Sequence, residues 1–553
     1  MEKLWFDQYQ QGIPHQINPD PYSSLLTLFD ESFNKYSDQV AYVNMGTTMS
    51  YAELDKQSRI FAAYLQQLGL KKGSRISIMM PNLLQYPIAL FGILRAGYIV
   101  VNTNPLYTID ELTHQLNDAG AEAIIVLANY AHTVNKALAK LNSLKHVIVT
   151  ELGDAFPSIK RFIVNSVVKY IKHMVPSYAP MHVVTFIDAL RQGASCILAP
   201  VSLHHDDVAF IQYTGGTTGV LKGAMLTHKN MVANTLQAAA WISPLGPGRH
   251  NIIVTALPLY HIFSLTANCL TFFKIGAKNI LITNPRDTGR FIKEIKHAKF
   301  TAITGVNTLF NSLLNHPKFH TINFSKLKLA LSGGMALQKS VALRWREITK
   351  SPILEAYGLT EASPAVTINP LSLKEYNGSI GLPLPSTDIS IRDAEGNELA
   401  LGETGELCVN GPQVMPGYWQ NPEETAMVFW PDGFLRTGDS AKIDALGFVY
   451  LVDRLKDLIL VSGFNVYPNE VEQVISMMPG VLEVGVVGVK KEEGGEDVKA
   501  CIVKRDPSLS EEDVIAHCRL HLTAYKVPKI VEFFDDLPKS NVGKVLRRAL
   551  RTS

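Results

Sequence analysis

The chain has 553 residues and a formal net charge of +2, and 46% of its residues are hydrophobic and 18% charged. A single hydrophobic core stops growing near roughly 250–300 residues, so this length predicts two or more domains. The composition is that of a folded protein, not of a disordered one. The near-neutral charge argues against a nucleic-acid partner, because bulk phosphate binding requires clustered Lys and Arg.

The cysteine content and the hydropathy pattern point to the cytoplasm. Five scattered cysteines without a CxxC pair fit neither a disulfide framework nor a zinc site. The N-terminus carries charges early and predicts no secretory signal. The longest charge-free apolar stretch, 76–94, contains Pro81, Asn82, Gln85 and Pro87. A membrane span needs about 20 apolar residues without such breaks, so we expect this stretch to be core.

From about residue 50, short apolar runs alternate with helical stretches. The apolar runs of strand length are 75–80, 98–101, 122–127, 208–213, 252–257, 278–282 and 300–304. Helix-like segments lie between several of them, as at 109–119 and 287–298. This alternation predicts an α/β fold of layered, largely parallel sheets.

The segment 158–176 has the pattern of a basic amphipathic helix. One face of the predicted helix carries Ile163, Val164, Val167, Val168, Tyr170, Ile171, Met174 and Val175. The other face carries Arg161, Asn165, Lys169, Lys172 and His173. Two interpretations stay open: a surface helix that packs on its own domain, or a helix that lies in a membrane interface with its lysines near anionic headgroups.

The strongest local pattern is a run of glycines and hydroxyl residues after the apolar run at 208–213. It consists of Tyr213, Thr214, Gly215, Gly216, Thr217, Thr218 and Gly219, followed by Lys222. Glycines let backbone N–H groups approach an anion, and Lys222 adds a mobile positive charge. The spacing does not match a Walker A loop. A plain hairpin turn is the alternative, but so many glycines are poor strand and helix material, so we predict a phosphate-binding loop.

The sequence pattern changes in roughly the last third of the chain. After residue 395, glycine-rich turns separate short strands and predict a β-rich module at the end of the large domain. A charged stretch at 453–457 leads into a region that mixes strands and helices. The predicted fold is therefore α/β, with a large N-terminal domain of layered mixed or parallel sheets and a small α+β C-terminal domain on a hinge.

The glycine-rich run resembles the phosphate loop of the adenylate-forming superfamily, which holds acyl-CoA synthetases, peptide-synthetase adenylation domains and firefly luciferase. The resemblance extends over roughly residues 20–550 and is closest to the bacterial long-chain fatty acyl-CoA ligases. It implies that a fatty acid is joined to coenzyme A through an acyl-AMP intermediate, with release of pyrophosphate and AMP. ATP and Mg²⁺ would be the cofactors and coenzyme A the co-substrate.

The resemblance also assigns roles around the adenine and the phosphates. Tyr357 would stack on adenine, with Gly358 in the same turn. A second loop on the adenine side is implied at Gly333, Gly334 and Met335.

Thr360 would contact the α-phosphate and Glu361 would hold Mg²⁺, a cation that prefers oxygen ligands. Asp439 would accept the protons of both ribose hydroxyls, with Arg454 assisting. Lys222 would act at the phosphates.

The remaining implied roles concern the acyl substrate and the moving domain. His261 would flank the carboxylate pocket, and Lys544 would bridge the acyl carboxylate and the adenylate oxygens. Lys456 would be the hinge, and Gly463 would leave room for the pantetheine of coenzyme A. The implied division is a large adenylation domain at 1–453, a hinge at 454–456 and a small mobile domain at 457–553.

Several alternatives stay open. The acid could be of medium chain length or aromatic, and the acceptor could be a carrier protein, although the insertion typical of acyl-AMP ligases is absent from the sequence around 440–460. A nucleotide-binding or membrane-surface protein without catalysis is a further alternative, which the intact set of polar motif residues disfavours. The sequence is also compatible with a homodimer and with a peripheral position on the inner face of the cytoplasmic membrane.

Overall fold

The structure is a computed structural model that describes residues 3–179, 181–215, 221–461, 464–490, 495–540 and 543–551. The predicted α/β class is confirmed, with layered sheets and a separate C-terminal sheet. The α-helices of four or more residues are Leu25–Lys35, Tyr51–Gln67, Gln85–Arg95, Ile109–Ala119, Ala131–Ala137, Ser158–Ser166, Phe186–Gly193, His228–Trp241, Thr288–Ile295, Asn307–Asn315, Lys339–Thr349, Pro422–Met427, Pro468–Ser476, Glu511–His521 and Arg547–Arg551.

A nine-stranded mixed sheet forms the centre of the large part of the molecule. Its strands, in spatial order, are Leu382–Pro383, Ala365–Ile368, Ile353–Gly358, Leu329–Gly333, Ala302–Gly305, Ile252–Thr255, Lys278–Leu281, Val40–Asn44 and Thr47–Ser50. The inner pairs are parallel and the edge pairs antiparallel. Because parallel neighbours end at the same edge of a sheet, Gly333 and Tyr357 come close together there.

A seven-stranded sheet packs as a second layer. Its strands, in spatial order, are Val184–Thr185, His146–Thr150, Ala123–Leu127, Arg75–Met79, Ile99–Asn102, Val208–Gly215 and Leu221–Thr227. All neighbours are parallel except the last two strands. The apolar stretch at 76–94 is core, as predicted, since it supplies a central strand and the helix Gln85–Arg95, all of whose residues are buried.

The predicted β-rich module is a four-stranded antiparallel sheet. Its strands are Asp388–Arg392, Gly405–Asn410, Leu435–Ile443 and Val449–Arg454. Asp439 lies inside a strand and pairs with Arg454 on the next one. Thr-Gly-Asp has the composition of a turn, but the strand accommodates it with an irregularity in its pairing.

The C-terminal region forms its own sheet and its own apolar cluster. The hairpin Ile459–Val461 with Phe464–Val466 precedes a sheet of Val481–Lys490, Glu496–Lys504 and Ile530–Phe534. Most of its buried apolar residues lie between Ile459 and Val531 and form a separate cluster, and a smaller cluster includes Leu537 and Leu550. A cluster of this kind is what an independently folded α+β unit requires.

The amphipathic segment differs from its prediction. The α-helix Ser158–Ser166 widens into a π-helical turn, Val167–Ile171, and the helix does not continue to residue 176. Several of its large apolar side chains are exposed to solvent, since Ile159 is 79% exposed, Phe162 74% and Ile171 68%, whereas Val164 packs against a buried cluster of the domain. Across the described part of the chain, no helix is both long and apolar enough to cross a membrane.

Candidate active site

The predicted site residues meet at one cleft of about 1380 Å³ between the nine-stranded sheet, the four-stranded sheet and the C-terminal region. The predicted residues that line it are Tyr213, Thr214, Lys222, His261, Gly333, Gly334, Met335, Tyr357, Gly358, Thr360, Glu361, Asp439, Arg454, Lys456 and Lys544. Gly215 ends its strand nearby. Gly216, Thr217, Thr218, Gly219 and Gly463 lie outside the described residues.

Asp439 is the centre of one wall of the cleft. Its Oδ2 accepts a hydrogen bond from the Tyr357 hydroxyl at 2.7 Å, and its Oδ1 lies 3.3 Å from Nε of Arg454. Burial, followed by the neighbouring Asp439 carboxylate, raises the pKa of Tyr357 well above its usual range, so the phenol stays a proton donor. A carboxylate has about four acceptor sites, so Asp439 retains capacity for two more donors.

Lys544 enters the cleft from the C-terminal region and passes over Gly334. Gly334 has a φ of +81°, and a Cβ placed there would lie 3.3 Å from Cε of Lys544. Burial, and secondarily the Arg454 charge, lowers the pKa of Lys544 to about 8, with Asp439 acting in the opposite direction. A half-buried ammonium with no carboxylate within salt-bridge distance in the described chain is poised to receive an anion.

His261 lines the same cleft as Lys544 and is close enough to feel its charge. Burial, followed by the Lys544 charge, lowers the pKa of His261 to about 3, so its imidazole is neutral. Its Nδ1 accepts a hydrogen bond from the backbone N–H of Phe263 at 3.3 Å, which leaves Nε2 as the N–H donor. A neutral donor beside a cation suits a carboxylate substrate.

The phosphate side of the cleft contains a network that the sequence did not reveal. Lys222 forms an ion pair with Glu424, and its ammonium lies 5.6 Å from the ring centre of Tyr418. The Tyr418 hydroxyl donates to Oε1 of Glu361 at 2.7 Å. The sequence analysis gave no role to Tyr418 or Glu424, and their contacts with Glu361 and Lys222 depend on the fold.

The residues around Glu361 limit what kind of metal site can form. Among the residues that the structure describes, no group of three or more His, Cys, Asp or Glu side chains could hold an ion. Glu361 therefore offers a single carboxylate, one of whose oxygens already accepts from Tyr418. This fits a hard cation that takes most of its ligands from phosphates and water.

A few contacts hold the C-terminal region in place. Thr308 Oγ1 donates to the carbonyl of Gly543 at 2.8 Å, directly before Lys544. Asn311, on the same helix as Thr308, donates to the carbonyl of Leu482 at 2.9 Å.

Asp453 forms a second anchor beside the predicted hinge. This carboxylate is 1% exposed; Oδ1 accepts from Arg547 at 3.1 Å and Oδ2 from the backbone N–H of Asn469 at 2.8 Å. The guanidinium of Arg547 also contacts Glu472 at 2.9 Å. Arg547 belongs to none of the motifs described above, so only the fold reveals this contact.

Apolar side chains line the cleft beyond His261. They come from the end of the helix His228–Trp241, from the π-helix Leu265–Thr271 and the helical turn that follows it, and from two strands of the nine-stranded sheet. The residues are Ala238, Ile242, Ala267, Phe272, Leu329, Leu331 and Ile368. The cleft therefore has a polar wall and an apolar one.

Comparison with known proteins agrees with this arrangement. Residues 29–419 match the AMP-binding enzyme family, and residues 470–544 match the AMP-binding enzyme C-terminal domain. A long-chain-fatty-acid–CoA ligase of Yersinia pestis is 56% identical over 553 residues, 100% of this chain and 98% of that protein. ATP-bound MatB from Rhodopseudomonas palustris is 30% identical, covers 95% of this chain and 98% of its own, and superposes with a TM-score of 0.81. Apo MatB from the same organism, with the same identity and coverage, gives 0.72. The chain thus belongs to the family of AMP-binding enzymes.

Proposed function

We propose that this enzyme joins a long-chain fatty acid to coenzyme A in an ATP-dependent reaction with an acyl-AMP intermediate. The observation that carries the proposal is the half-buried Lys544 ammonium, which meets the Asp439–Arg454 wall and neutral His261 in one cleft. Full-length identity of 51–56% to long-chain-fatty-acid–CoA ligases supports the choice of acid and acceptor.

The nucleotide would lie against the polar wall. Tyr357 would stack on adenine next to Gly333, and the free acceptor sites of Asp439 would take the ribose hydroxyls. Arg454 would keep Asp439 ionised and oriented.

The phosphates would lie between Thr214, Thr360 and Lys222, with the predicted loop at 216–219 completing the cradle. Glu361 would hold Mg²⁺ together with phosphate and water oxygens, and the bound cation would neutralise phosphate charge.

Lys544 would carry the first step. The fatty carboxylate oxygen attacks the α-phosphorus, a new P–O bond forms, and the bond to pyrophosphate breaks. The Lys544 ammonium, placed between the carboxylate and the α-phosphate oxygens, offsets their repulsion and stabilises the charge that develops. His261 would orient the carboxylate through Nε2–H.

The second step requires a different set of neighbours. The thiolate of coenzyme A attacks the acyl carbonyl, the new C–S bond forms, and AMP leaves with the electrons of the C–O bond. We propose that the small domain, 457–553, rotates about Lys456 relative to the large domain, 1–453, and brings Gly463 to the cleft. The higher TM-score to ATP-bound MatB than to apo MatB supports an adenylation arrangement in the present structure.

Thioester formation across carboxylic acids tests this function. Purified enzyme with ATP, Mg²⁺ and coenzyme A should show its highest kcat/KM with long-chain acids, because the apolar wall contributes about 0.8 kcal/mol for each buried CH₂ group. A higher kcat/KM with aromatic or short acids would show that the substrate is not a long-chain fatty acid. Failure to release AMP with any acid would refute the proposal as a whole, and acyl-AMP that accumulates despite coenzyme A would point to a carrier-protein acceptor.

We further propose that the segment 158–176 contacts the inner face of the cytoplasmic membrane. Its helix exposes Ile159, Phe162 and Ile171 to solvent, and its exposed Lys169 and Lys172 add positive charge. Apolar side chains flanked by lysines are what an anionic bilayer surface binds.

Vesicle flotation tests the membrane contact. The full chain should float with anionic vesicles, and K169E together with K172E should reduce the floated fraction severalfold. K326E with K328E, a pair of exposed lysines elsewhere on the chain, is the matched control and should float like the parent protein. Equal flotation of all three proteins would refute the assignment.

A further inference from the structure

Glu424 is a carboxylate in the cleft for which the proposed mechanism has no role. It lies on the short helix Pro422–Met427 and forms an ion pair with Lys222. The two side chains are only 25% and 12% exposed, so solvent screens this pair less than it screens a surface pair. An acidic group beside the phosphates of ATP works against anion binding and therefore requires an explanation.

The backbone fixes Glu424 relative to Lys222. The Asn421 side chain accepts a hydrogen bond from the Glu424 N–H at 3.2 Å and so caps the helix. The backbone N–H of Trp419, just before this helix, donates to the carbonyl of Gly223 at 2.7 Å. Gly223 adjoins Lys222 on the strand Leu221–Thr227, so the helix and the lysine belong to one hydrogen-bonded unit.

Lys222 therefore has two competing anionic partners in the proposed reaction. Without nucleotide its ammonium is neutralised by Glu424, and with nucleotide it would have to contact the phosphates. The Lys222 ammonium also lies against the ring of Tyr418, which bonds Glu361, so its reach is confined to the phosphate side of the cleft.

We infer that Glu424 competes with the phosphates of ATP and of pyrophosphate for the Lys222 ammonium. This inference rests on the phosphate role of Lys222 in the proposed function. Glu424 is a positioning residue in this scheme: it weakens the binding of both anions by a similar factor, and it takes back the ammonium when pyrophosphate leaves.

Glu424→Gln tests the competition, because it keeps the shape of the side chain and removes its charge. We expect the KM for ATP and the dissociation constant of pyrophosphate to fall by about three- to tenfold, because this is the change in affinity that the loss of one partly screened ion pair produces. The kcat should change by less than about twofold. Glu423→Gln is the matched control, since it removes the same charge from an exposed position on the same helix. It should leave both constants within about twofold of the parent values.

A double variant shows whether the effect passes through Lys222. In a Lys222→Met background, Glu424→Gln should no longer tighten pyrophosphate binding. If Glu424→Gln still tightened pyrophosphate binding to the same extent in the Lys222→Met background, the inference would be overturned, because Glu424 would then repel the anion directly and not through Lys222. A rise in the constants for Glu424→Gln alone would overturn it too.

Calorimetric titration of the full chain with pyrophosphate makes this test independent of turnover. If the parent protein formed no thioester, the proposed function would be refuted. If Glu424→Gln bound pyrophosphate no more tightly than the parent protein, only the competition between Glu424 and the phosphates would be refuted. Glu424→Asp, which keeps the charge on a shorter stem, should give intermediate binding and serves as the second variant if Glu424→Gln does not fold.

Discussion

The wall that carries Tyr357 and Asp439 is built from strands that are hydrogen-bonded along their length, whereas Lys544 reaches the same cleft on a loop held by a few side chains. The wall residues also bond one another directly, as between Tyr357 and Asp439 at 2.7 Å. The Lys544 loop depends on Thr308 and, further away, on the Asp453–Arg547 contact. The strand wall is therefore held by many backbone hydrogen bonds, whereas the loop that carries Lys544 can leave the cleft when a few contacts break. This difference suits an enzyme that uses one cleft for two reactions. The following predictions test this contrast.

Lys544→Ala should have the largest effect. Adenylation, measured by exchange between ATP and pyrophosphate, should fall by about a hundred- to a thousandfold, because the charge that develops loses its buried counter-ion. Thioester formation from supplied acyl-AMP should change little, since that step uses a different set of neighbours. Lys529→Ala, an exposed lysine of the same region, is the control. Equal losses in both half-reactions would contradict the division of roles.

Asp439→Asn should weaken both half-reactions. The change removes the negative charge and replaces one of the two oxygens by an NH2 group, which cannot accept from Tyr357 or Arg454, so kcat/KM for ATP should fall by about ten- to a hundredfold. Because AMP leaves from the same wall, thioester formation from acyl-AMP should fall as well. A selective loss of adenylation alone would show that the wall is not common to both steps.

The pH dependence should separate the two steps. The pKa of Lys544 is about 8, so its ammonium is present below that pH and is lost above it. Adenylation should therefore decline on the alkaline side by about tenfold for each pH unit, whereas thioester formation from acyl-AMP should lack this limb. Stopped assays of each half-reaction between neutral and alkaline pH measure this. An identical alkaline limb in Lys544→Ala would assign it to another group.

Asp453→Asn should have the smallest effect. It weakens the contacts to Arg547 and to the N–H of Asn469 without changing the shape of the side chain. The adenylation arrangement should become less populated, and adenylation should slow by about threefold relative to thioester formation. The ratio of the two rates is the measurement, with thermal unfolding as the check on folding. An unchanged ratio would show that Asp453 does not help to set the domain arrangement.

Much of the fold could be predicted because its signals are local. The helix Ile109–Ala119 has the predicted bounds, and the strand at 208 begins where expected. The segment that begins at residue 158 was harder to predict. The spacing of its apolar residues predicts a straight helix, whereas the helix widens to a π-turn and ends near His173, whose φ is +50°.

The candidate site was predictable where its residues form motifs, and not where partners are distant in sequence. Glu424 lies 202 residues from Lys222, and Arg547 lies 94 residues from Asp453. Nothing in the local pattern pairs such residues, since their contact depends on how strands and helices pack. The sequence identified the charged residues that lie in motifs and associated Asp439 with Arg454, whereas the pairs Lys222–Glu424 and Asp453–Arg547 appeared only in the structure.

The backbone conformation at Gly334 restricts which residues can replace this glycine. Its φ of +81° disfavours L side chains, and a Cβ would press on Lys544, so a saturation library at this codon should return glycine alone under selection for growth on the substrate acid. Gly402 has a similar φ of +86° but nothing within 4 Å of a Cβ, and should also accept asparagine. Two glycines of like geometry would thus differ in mutational tolerance, because the Lys544 side chain passes over only one of them.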